Sequence, residues 1–372
     1  MPAERPLRIC HIALKGMPLG GGIEKYTEQV GSRLAARGHE ITVYAMRHYG
    51  ARDGVYRGMH IRTVPTIRSR SLEKFAAYLL ATAYESTLGS CDVIHMHSFG
   101  PAMLSILPRL TGQTVLVQGH GLEWKRSRWS PLAGGMLRAM EPPSVRFPHA
   151  VAVVSRTLQR YVRETYGREC FYLPTGVEEP QPADAEPLRP LGLEAGNYVL
   201  FLSRLVREKN AHLLIRAFRR LRTDARLVIA GDAQHEQRYK EQLGELARGD
   251  RRILFPGFVT GLLWRSLLSN ARLYVQPSGV EGLSLSLLEA MSYGNCCLVS
   301  DIPENLEAIH GHGFSFRHDD EANLAAKMNE LLRDDSLRAS AGAAGRAFVL
   351  AHHSWDDIAA RTESVYAGLL GR

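Results

Sequence analysis

The apolar and polar positions of this chain switch repeatedly between strand-like and helix-like spacing. Residues 7–14 alternate loosely, which predicts a strand. Three glycines stand at 20–22, and residues 23–37 then carry helical spacing that stops at Gly38. Residues 40–45 return to a strand pattern. Strand, glycine turn, helix and strand make a βαβ unit, which implies a parallel sheet. Further strands are predicted at 93–95, 114–117 and 150–155, before a turn at 173–176. Residues 179–197 are rich in Pro, Glu and Gly, with prolines at 180, 182, 187 and 190, and read as a linker or hinge. The strand pattern restarts at 198–202 and recurs at 226–230, 253–255, 273–276 and 296–300, with helices between. One of those helices begins near Ser284. The last, from 355 to 370, sets Ile358, Thr362, Val365 and Leu369 on one stripe. The expectation is an α/β chain of two doubly wound domains, 1–178 and 198–354, joined by 179–197 and followed by a helix within 355–372. A cleft is expected at the carboxyl ends of the strands.

A length of 372 residues suits two cores better than one. The content, 45% hydrophobic and 23% charged, is that of a globular protein. No run reaches the roughly 18 apolar residues of a spanning helix. The start, Met-Pro-Ala-Glu-Arg-Pro, has no signal-peptide core, so a cytoplasmic location is expected. The five cysteines, at 10, 91, 170, 296 and 297, form no CxxC pair and read as buried reduced thiols. The net charge of +8 is uneven: residues 1–178 hold 23 Lys and Arg against 13 Asp and Glu, a net of +10, and the remainder is net −2. Lys125, Arg126 and Arg128 lie beside Trp124 and Trp129, a pattern for peripheral contact with an anionic membrane face or lipid diphosphate, or for a solvated loop. No nucleic-acid-binding motif accompanies the charge.

Candidate chemistry concentrates at 278–291, Ser-Gly-Val-Glu-Gly-Leu-Ser-Leu-Ser-Leu-Leu-Glu-Ala-Met. Glu281 lies in a glycine-containing loop after a strand, and Glu289 lies inside the next helix. A glycine turn opening a helix presents N–H groups and a positive dipole end to an anionic or hydroxyl-rich ligand. A glutamate there can accept both hydrogens of a vicinal diol. This reads as a sugar-nucleotide site; a capping and a solvated Glu is the plainer alternative. Gly20, Gly21 and Gly22 miss the GxGxxG spacing, but still permit close backbone approach to a diphosphate. Glu24, in the first helical turn, is favourable there without any catalytic role. Arg204 and Lys209 follow the 198–202 strand and can neutralise charge developing on a leaving phosphate. His120 stands between two glycines at a strand end. His95 and His97 share a strand face, but no third metal ligand is evident, and no Asp-x-Asp motif stands in a suitable loop. No metal site and no cofactor are therefore expected. Phe258 and Val259, after the 253–255 strand, are candidates for framing a base.

Glu281, seven residues and Glu289, followed by Ala-Met-Ser-Tyr-Gly, resemble the Glu-x7-Glu motif of retaining glycosyltransferases of the GT-B class, family 4 (glycosyl transferases group 1). Gly-Gly-Gly-Ile-Glu-Lys at 20–25, Phe-Leu-Ser-Arg-Leu-Val-Arg-Glu-Lys-Asn at 201–210 and Val-Ile-Ala-Gly-Asp at 228–232 match in the same order, across nearly the whole chain. The resemblance implies two Rossmann-like domains and a last helix that crosses back to the first. It implies a hexose-type sugar moved from a nucleotide-diphosphate sugar to an acceptor hydroxyl, on a glycan, glycolipid or small molecule, in cell-surface polysaccharide or glycolipid synthesis. Glu289 would hold the ribose, and Arg204 and Lys209 the phosphates. Glu281 would face the donor sugar with the N–H groups of Gly282, Leu283 and Ser284, and His120 would contact the donor. Gly21 and Gly22 would lie against the donor. Such enzymes retain configuration by front-face departure and attack. One departure is Thr175, where an Asn often precedes the interdomain glycine. Two rivals share the architecture: a sugar-nucleotide 2-epimerase, which needs carboxylates in the first domain, and a non-catalytic carbohydrate-binding protein, which does not need both cations.

Overall fold

The computed structural model describes residues 5–372 except 18–20, 67–72, 128 and 234–235, so Gly20 and Arg128 lie outside the described residues. The chain divides into two compact units, Met1–Gly176 with Trp355–Arg372, and Val177–Ser354.

The first unit holds eight strands: β1 Arg8–Leu14, β2 Glu40–Met46, β3 Gly54–Tyr56, β4 Met59–Val64, β5 Val93–His97, β6 Thr114–Gly119, β7 Ala150–Val153 and β8 Phe171–Tyr172. Their order is β3-β4-β2-β1-β5-β6-β7-β8. All neighbours are parallel except the β3–β4 hairpin. Sequence reading missed that hairpin, although β4 alternates buried and exposed residues. Its turn is Arg57-Gly58, both at positive φ. The strand expected over 150–155 stops at Val153, because Ser155 caps the next helix by accepting the Leu158 N–H at 3.2 Å. The reading of five reduced thiols is corrected: Cys10 and Cys91 are joined by a disulfide, and Cys170, Cys296 and Cys297 are free and buried. The β1–β5 pairing, Ile9 opposite Val93, brings together two cysteines separated by 81 positions.

The second unit holds β9 Tyr198–Leu202, β10 Arg226–Ala230, β11 Ile253–Gly257, β12 Leu273–Gln276, β13 Cys297–Ser300 and β14 Phe314–Phe316. Their order is β11-β10-β9-β12-β13-β14, all parallel. Strands covered on both faces read as continuous apolar runs, as Tyr198–Leu202 does. Residues 179–197, expected as a linker, are packed into this unit. Leu188 is fully buried, the Ala183 N–H donates to Ser269 Oγ at 3.0 Å, and Asn270 Nδ2 donates to the Ala183 carbonyl at 3.0 Å. The prolines build a 3₁₀ turn, Glu186–Leu191. Val177 and Ser354 form a parallel bridge, so both ends of the unit lie together.

The final helix, Trp355–Leu369, belongs to the first unit and packs on the helix Gly22–Ala36. Its buried stripe is Trp355, Ile358, Ala359, Thr362 and Tyr366, so Tyr366 takes the place expected for Val365. Trp355 meets Tyr26 edge to face with ring centroids 5.8 Å apart. Glu363 binds both Arg37, at 2.5 Å, and His39, at 2.7 Å. Against the opposing effect of burial, the hydrogen bonds from His39 and Arg37 and the Arg37 charge hold its carboxyl below the usual range. Trp355→Ala should lower the stability of the first unit by about 3–5 kcal/mol, the usual loss for a fully buried aromatic. Denaturant titration checks this, and a loss below about 1 kcal/mol would show that the helix is not integral to the unit.

Candidate functional site

The strand order of the second unit runs outward in both directions from β9 and β12, so the helices leaving these two strands diverge. A doubly wound sheet binds ligands outside the carboxyl ends of its strands at this point of divergence. Arg204 and Lys209 follow β9, and Glu281 follows β12. The Lys209 ammonium donates to Glu281 Oε1 in an ion pair whose side chains are only 9% and 7% exposed. The sequence reading gave these two groups separate targets; the structure makes them partners.

Backbone contacts fix this geometry. The Gly279 N–H donates to the Glu208 carbonyl at 2.8 Å. Asn210, in the left-handed region at φ 53°, donates through Nδ2 to the Pro277 carbonyl at 3.1 Å and to Asp319 Oδ1 at 3.2 Å. Sequence reading quoted Asn210 but gave it no role. The signal was available, since Asn tolerates this conformation and stands directly before a helix. The Arg204 turn is held from β10: the Ser203 N–H donates to the Ala230 carbonyl and the Leu205 N–H to the Asp232 carbonyl. Between them Gly231 has φ 142°, and a Cβ there would collide with the Ser203 carbonyl, so this position requires glycine. Arg204 itself is exposed.

The helix Leu285–Ser292 starts where expected, with Ser284 accepting the Leu287 N–H at 3.4 Å. Ser284 Oγ also donates to Gln276 Oε1 at 2.9 Å, which ties the helix entrance to the end of β12. Gly282 and Leu283 are buried in the turn before it. Glu289 is half-buried on the helix. Phe258 and Val259 follow β11, two strands away from β9. Val259 is buried, whereas Phe258 is 64% exposed.

Gly21, Gly22 and His120 belong to the first unit. Gly21 is the N-cap of the helix Gly22–Ala36, and the buried Glu24 turns back to accept the Lys15 N–H at 3.0 Å. That is a structural role, as the sequence suggested. His120 follows β6 and places Nε2 3.1 Å from His97 Nδ1. His97 Nε2 lies 2.9 Å from His11 Nδ1. His11 was missed by sequence reading. It stands opposite His95 in the β1–β5 register, so the third imidazole thought to be absent beside His95 and His97 is present. Burial disfavours charge on all four rings: His11 and His120 are pushed down to about 3, and His95 and His97 well below their usual value. All four are neutral at physiological pH.

Arg126 pairs with Glu123 at 3.0 Å, which offsets its charge. Trp124 is partly buried against the first core and donates through Nε1 to Glu141 at 2.9 Å, while Lys125 and Arg138 lie over its ring.

Comparison with known proteins agrees with this architecture. Residues 20–179 match the family model described as Glycosyltransferase Family 4, and residues 189–348 match Glycosyl transferases group 1. The chain is 28% identical to a phosphatidyl-myo-inositol mannosyltransferase of Mycolicibacterium smegmatis over 98% of its own length and 95% of the relative's. It is 26% identical to an alpha-maltose-1-phosphate synthase of the same organism, covering 85% and 88%. Sucrose-phosphate synthase from Thermosynechococcus elongatus has the same fold, with a TM-score of 0.83, 22% identity and coverage of 98% and 99%. So does the Anabaena protein HepE in complex with UDP and glucose, with a TM-score of 0.81, 19% identity and coverage of 97% and 100%. The chain belongs to the GT-B glycosyltransferases of group 1.

As a glycosyltransferase it uses a nucleotide-sugar donor. Its buried Lys209–Glu281 pair is then a structural element as well as a candidate contact. Removing one partner of a buried pair strands the other charge, at a cost of about 3–5 kcal/mol. Lys209→Met should therefore destabilise the second unit by that amount, and Lys209→Met with Glu281→Leu should recover most of it. Unfolding followed at Trp264, on the helix Gly261–Ser269, measures both. A single variant as stable as the parent would show that the pair is not effectively buried.

Proposed function

We propose that the chain is a retaining hexosyltransferase of cell-surface polysaccharide or glycolipid synthesis, acting on the cytoplasmic side. It moves a hexose from a nucleotide-diphosphate sugar to an acceptor hydroxyl. The observation that carries this reading is the convergence of Arg204, Lys209 and Glu281 at the carboxyl ends of β9 and β12, with Glu289 on the helix after β12. Relatives that are named as a mannosyltransferase for phosphatidyl-myo-inositol and a maltose-1-phosphate synthase support the transfer of hexose units.

In this reading Glu289 accepts the two ribose hydroxyls. Arg204 and Lys209 meet the diphosphate, where negative charge grows as the bond from the sugar C1 to the β-phosphate oxygen breaks. Glu281 keeps Lys209 aimed and, with the N–H groups of Gly282, Leu283 and Ser284, holds sugar hydroxyls. A glutamate already engaged by a lysine is a poor covalent nucleophile. This favours attack of the acceptor oxygen on the departing face, with the acceptor proton passing to the leaving phosphate. Gly21, Gly22 and His120 are the first unit's contributions to donor contact. The net +10 of residues 1–178 supports an acceptor-side role for that unit. Two fixed cations at the diphosphate remove the need for a divalent ion there, so adding Mg²⁺ or Mn²⁺ to chelator-treated enzyme leaves the rate unchanged.

A folded Glu289→Ala variant should bind its preferred nucleoside diphosphate about ten- to a hundredfold more weakly, the value of one charge-assisted hydrogen-bond pair. Calorimetric titration with UDP and GDP checks this, and unchanged affinity refutes the ribose assignment. Arg204→Ala should lower kcat more than it weakens nucleoside-monophosphate binding, since its charge matters most where phosphate charge develops. An effect confined to KM would instead make Arg204 a uniform binding group.

A further inference from the structure

His11, His95 and His97 lie in the first unit, on two neighbouring strands whose pairing places His11 directly opposite His95. Each offers one ring nitrogen, and the three nitrogens lie within 4.8 Å of one another. All three side chains are at most 1% exposed. His11 Nε2 and His95 Nε2 are buried without a hydrogen-bond partner, a costly arrangement for polar atoms in a sheet core. Candidate catalysis at β9 and β12 uses none of these residues. We propose that these three imidazoles form a binding site for a late first-row divalent metal ion, Zn²⁺ being the probe of choice.

The donor chemistry selects the ion. Three imidazoles without carboxylate or thiolate suit Zn²⁺, Ni²⁺ or Cu²⁺, not the oxygen-seeking Mg²⁺, Ca²⁺ or Mn²⁺. A tetrahedral Zn²⁺ with bonds of about 2.0–2.1 Å needs nitrogens about 3.3 Å apart, so closure from 4.8 Å takes side-chain shifts of about 1 Å or less. For His95 and His97 the ring nitrogen turned away from the set is held, as outer-shell partners hold metal-binding histidines. Tyr366 OH lies 2.7 Å from His95 Nδ1, and His120 Nε2 lies 3.1 Å from His97 Nδ1. Ligation through Nε2 of His95 and of His97 keeps both contacts. Thr27 Oγ1, 3.3 Å from His97 Nε2, stands beside the set, and an oxygen ligand completes the fourth position.

The site has a consequence at His120, which alone rests on the glycosyltransferase reading. With metal on His97 Nε2, the ring proton of His97 must be on Nδ1, where it donates to His120 Nε2. His120 must then carry its own proton on Nδ1, so the metal fixes the tautomer of a candidate donor contact.

The test uses the full chain without an affinity tag, stripped with chelator and then exposed to Zn²⁺ or Co²⁺. The expected result is one equivalent retained through gel filtration, a raised melting temperature, and the intense visible absorption of tetrahedral Co²⁺. His11→Gln and His95→Gln should each abolish retention. Tyr366→Phe should weaken binding about 10–100-fold, the usual loss for an outer-shell partner. His312→Gln with His352→Gln, in the separate histidine group around Phe348 of the second unit, should change nothing. No retained equivalent, or one that survives both His11→Gln and His95→Gln, overturns the site. If those variants do not fold, zinc-edge X-ray absorption of the loaded parent protein decides. Three imidazoles on the metal uphold the proposal, and two or fewer overturn it. Because binding is read without turnover, failure of this site is distinguishable from failure of the proposed transferase activity.

Discussion

A parallel sheet presents every strand's carboxyl end at one edge, and the rest of the molecule depends on that constraint. Each strand must be reached by a crossover, and each crossover leaves its loop at the same edge. Where successive crossovers wind to opposite faces, two adjacent loops separate and leave a crevice. In the second unit those loops are 203–210 and 277–284, and the residues with useful chemistry sit on them. The loops are bonded to one another by Gly279, Asn210 and the Lys209–Glu281 pair. A polar site is therefore rigid even though it is made of loops.

The two units differ in their electrostatics. At the second, charge is gathered and compensated: an ammonium beside a carboxylate, with Arg204 on the same loop as the ammonium. At the first, desolvation strips charge from four imidazoles and leaves a row of neutral rings. Neutral rings donate and accept one hydrogen bond each, so the state of one constrains the next. Charged side chains tolerate rearrangement around a polyanion, whereas tautomers in a packed row allow only a few arrangements.

The sequence was most legible where burial on both sides makes a strand continuously apolar. Residues 198–202, 226–230 and 273–276 coincide with β9, β10 and β12. Ser284 was legible as a helix start because its hydroxyl caps the helix Leu285–Ser292. Contacts between distant positions were not legible. Lys209 and Glu281 are 72 residues apart, and His11 and His97 are 86 apart. Pairing of β1 with β5 joins both Cys10 to Cys91 and His11 to His95, and no local pattern announces which strands become neighbours. Composition reads 179–197 as a linker or hinge, but hydrogen bonds from Ser266 and Asn270, and one accepted by Ser269, fasten it. The hairpin over 54–64 was not legible because its strands, of three and six residues, are too short for a strong alternation.

The last helix also bears on the order of events during synthesis. The first unit is discontinuous: Tyr26 finishes its packing only against Trp355 and Thr362, and His95 meets Tyr366. These partners leave the ribosome after the whole of 177–354, an interval of about 10–40 s at ordinary elongation rates. Over that time the nascent first unit has its eight-stranded sheet in sequence but not the helix that covers it. The buried core cluster of the contiguous second unit is drawn from residues 199–332. The part of the chain made second is thus the part able to close first.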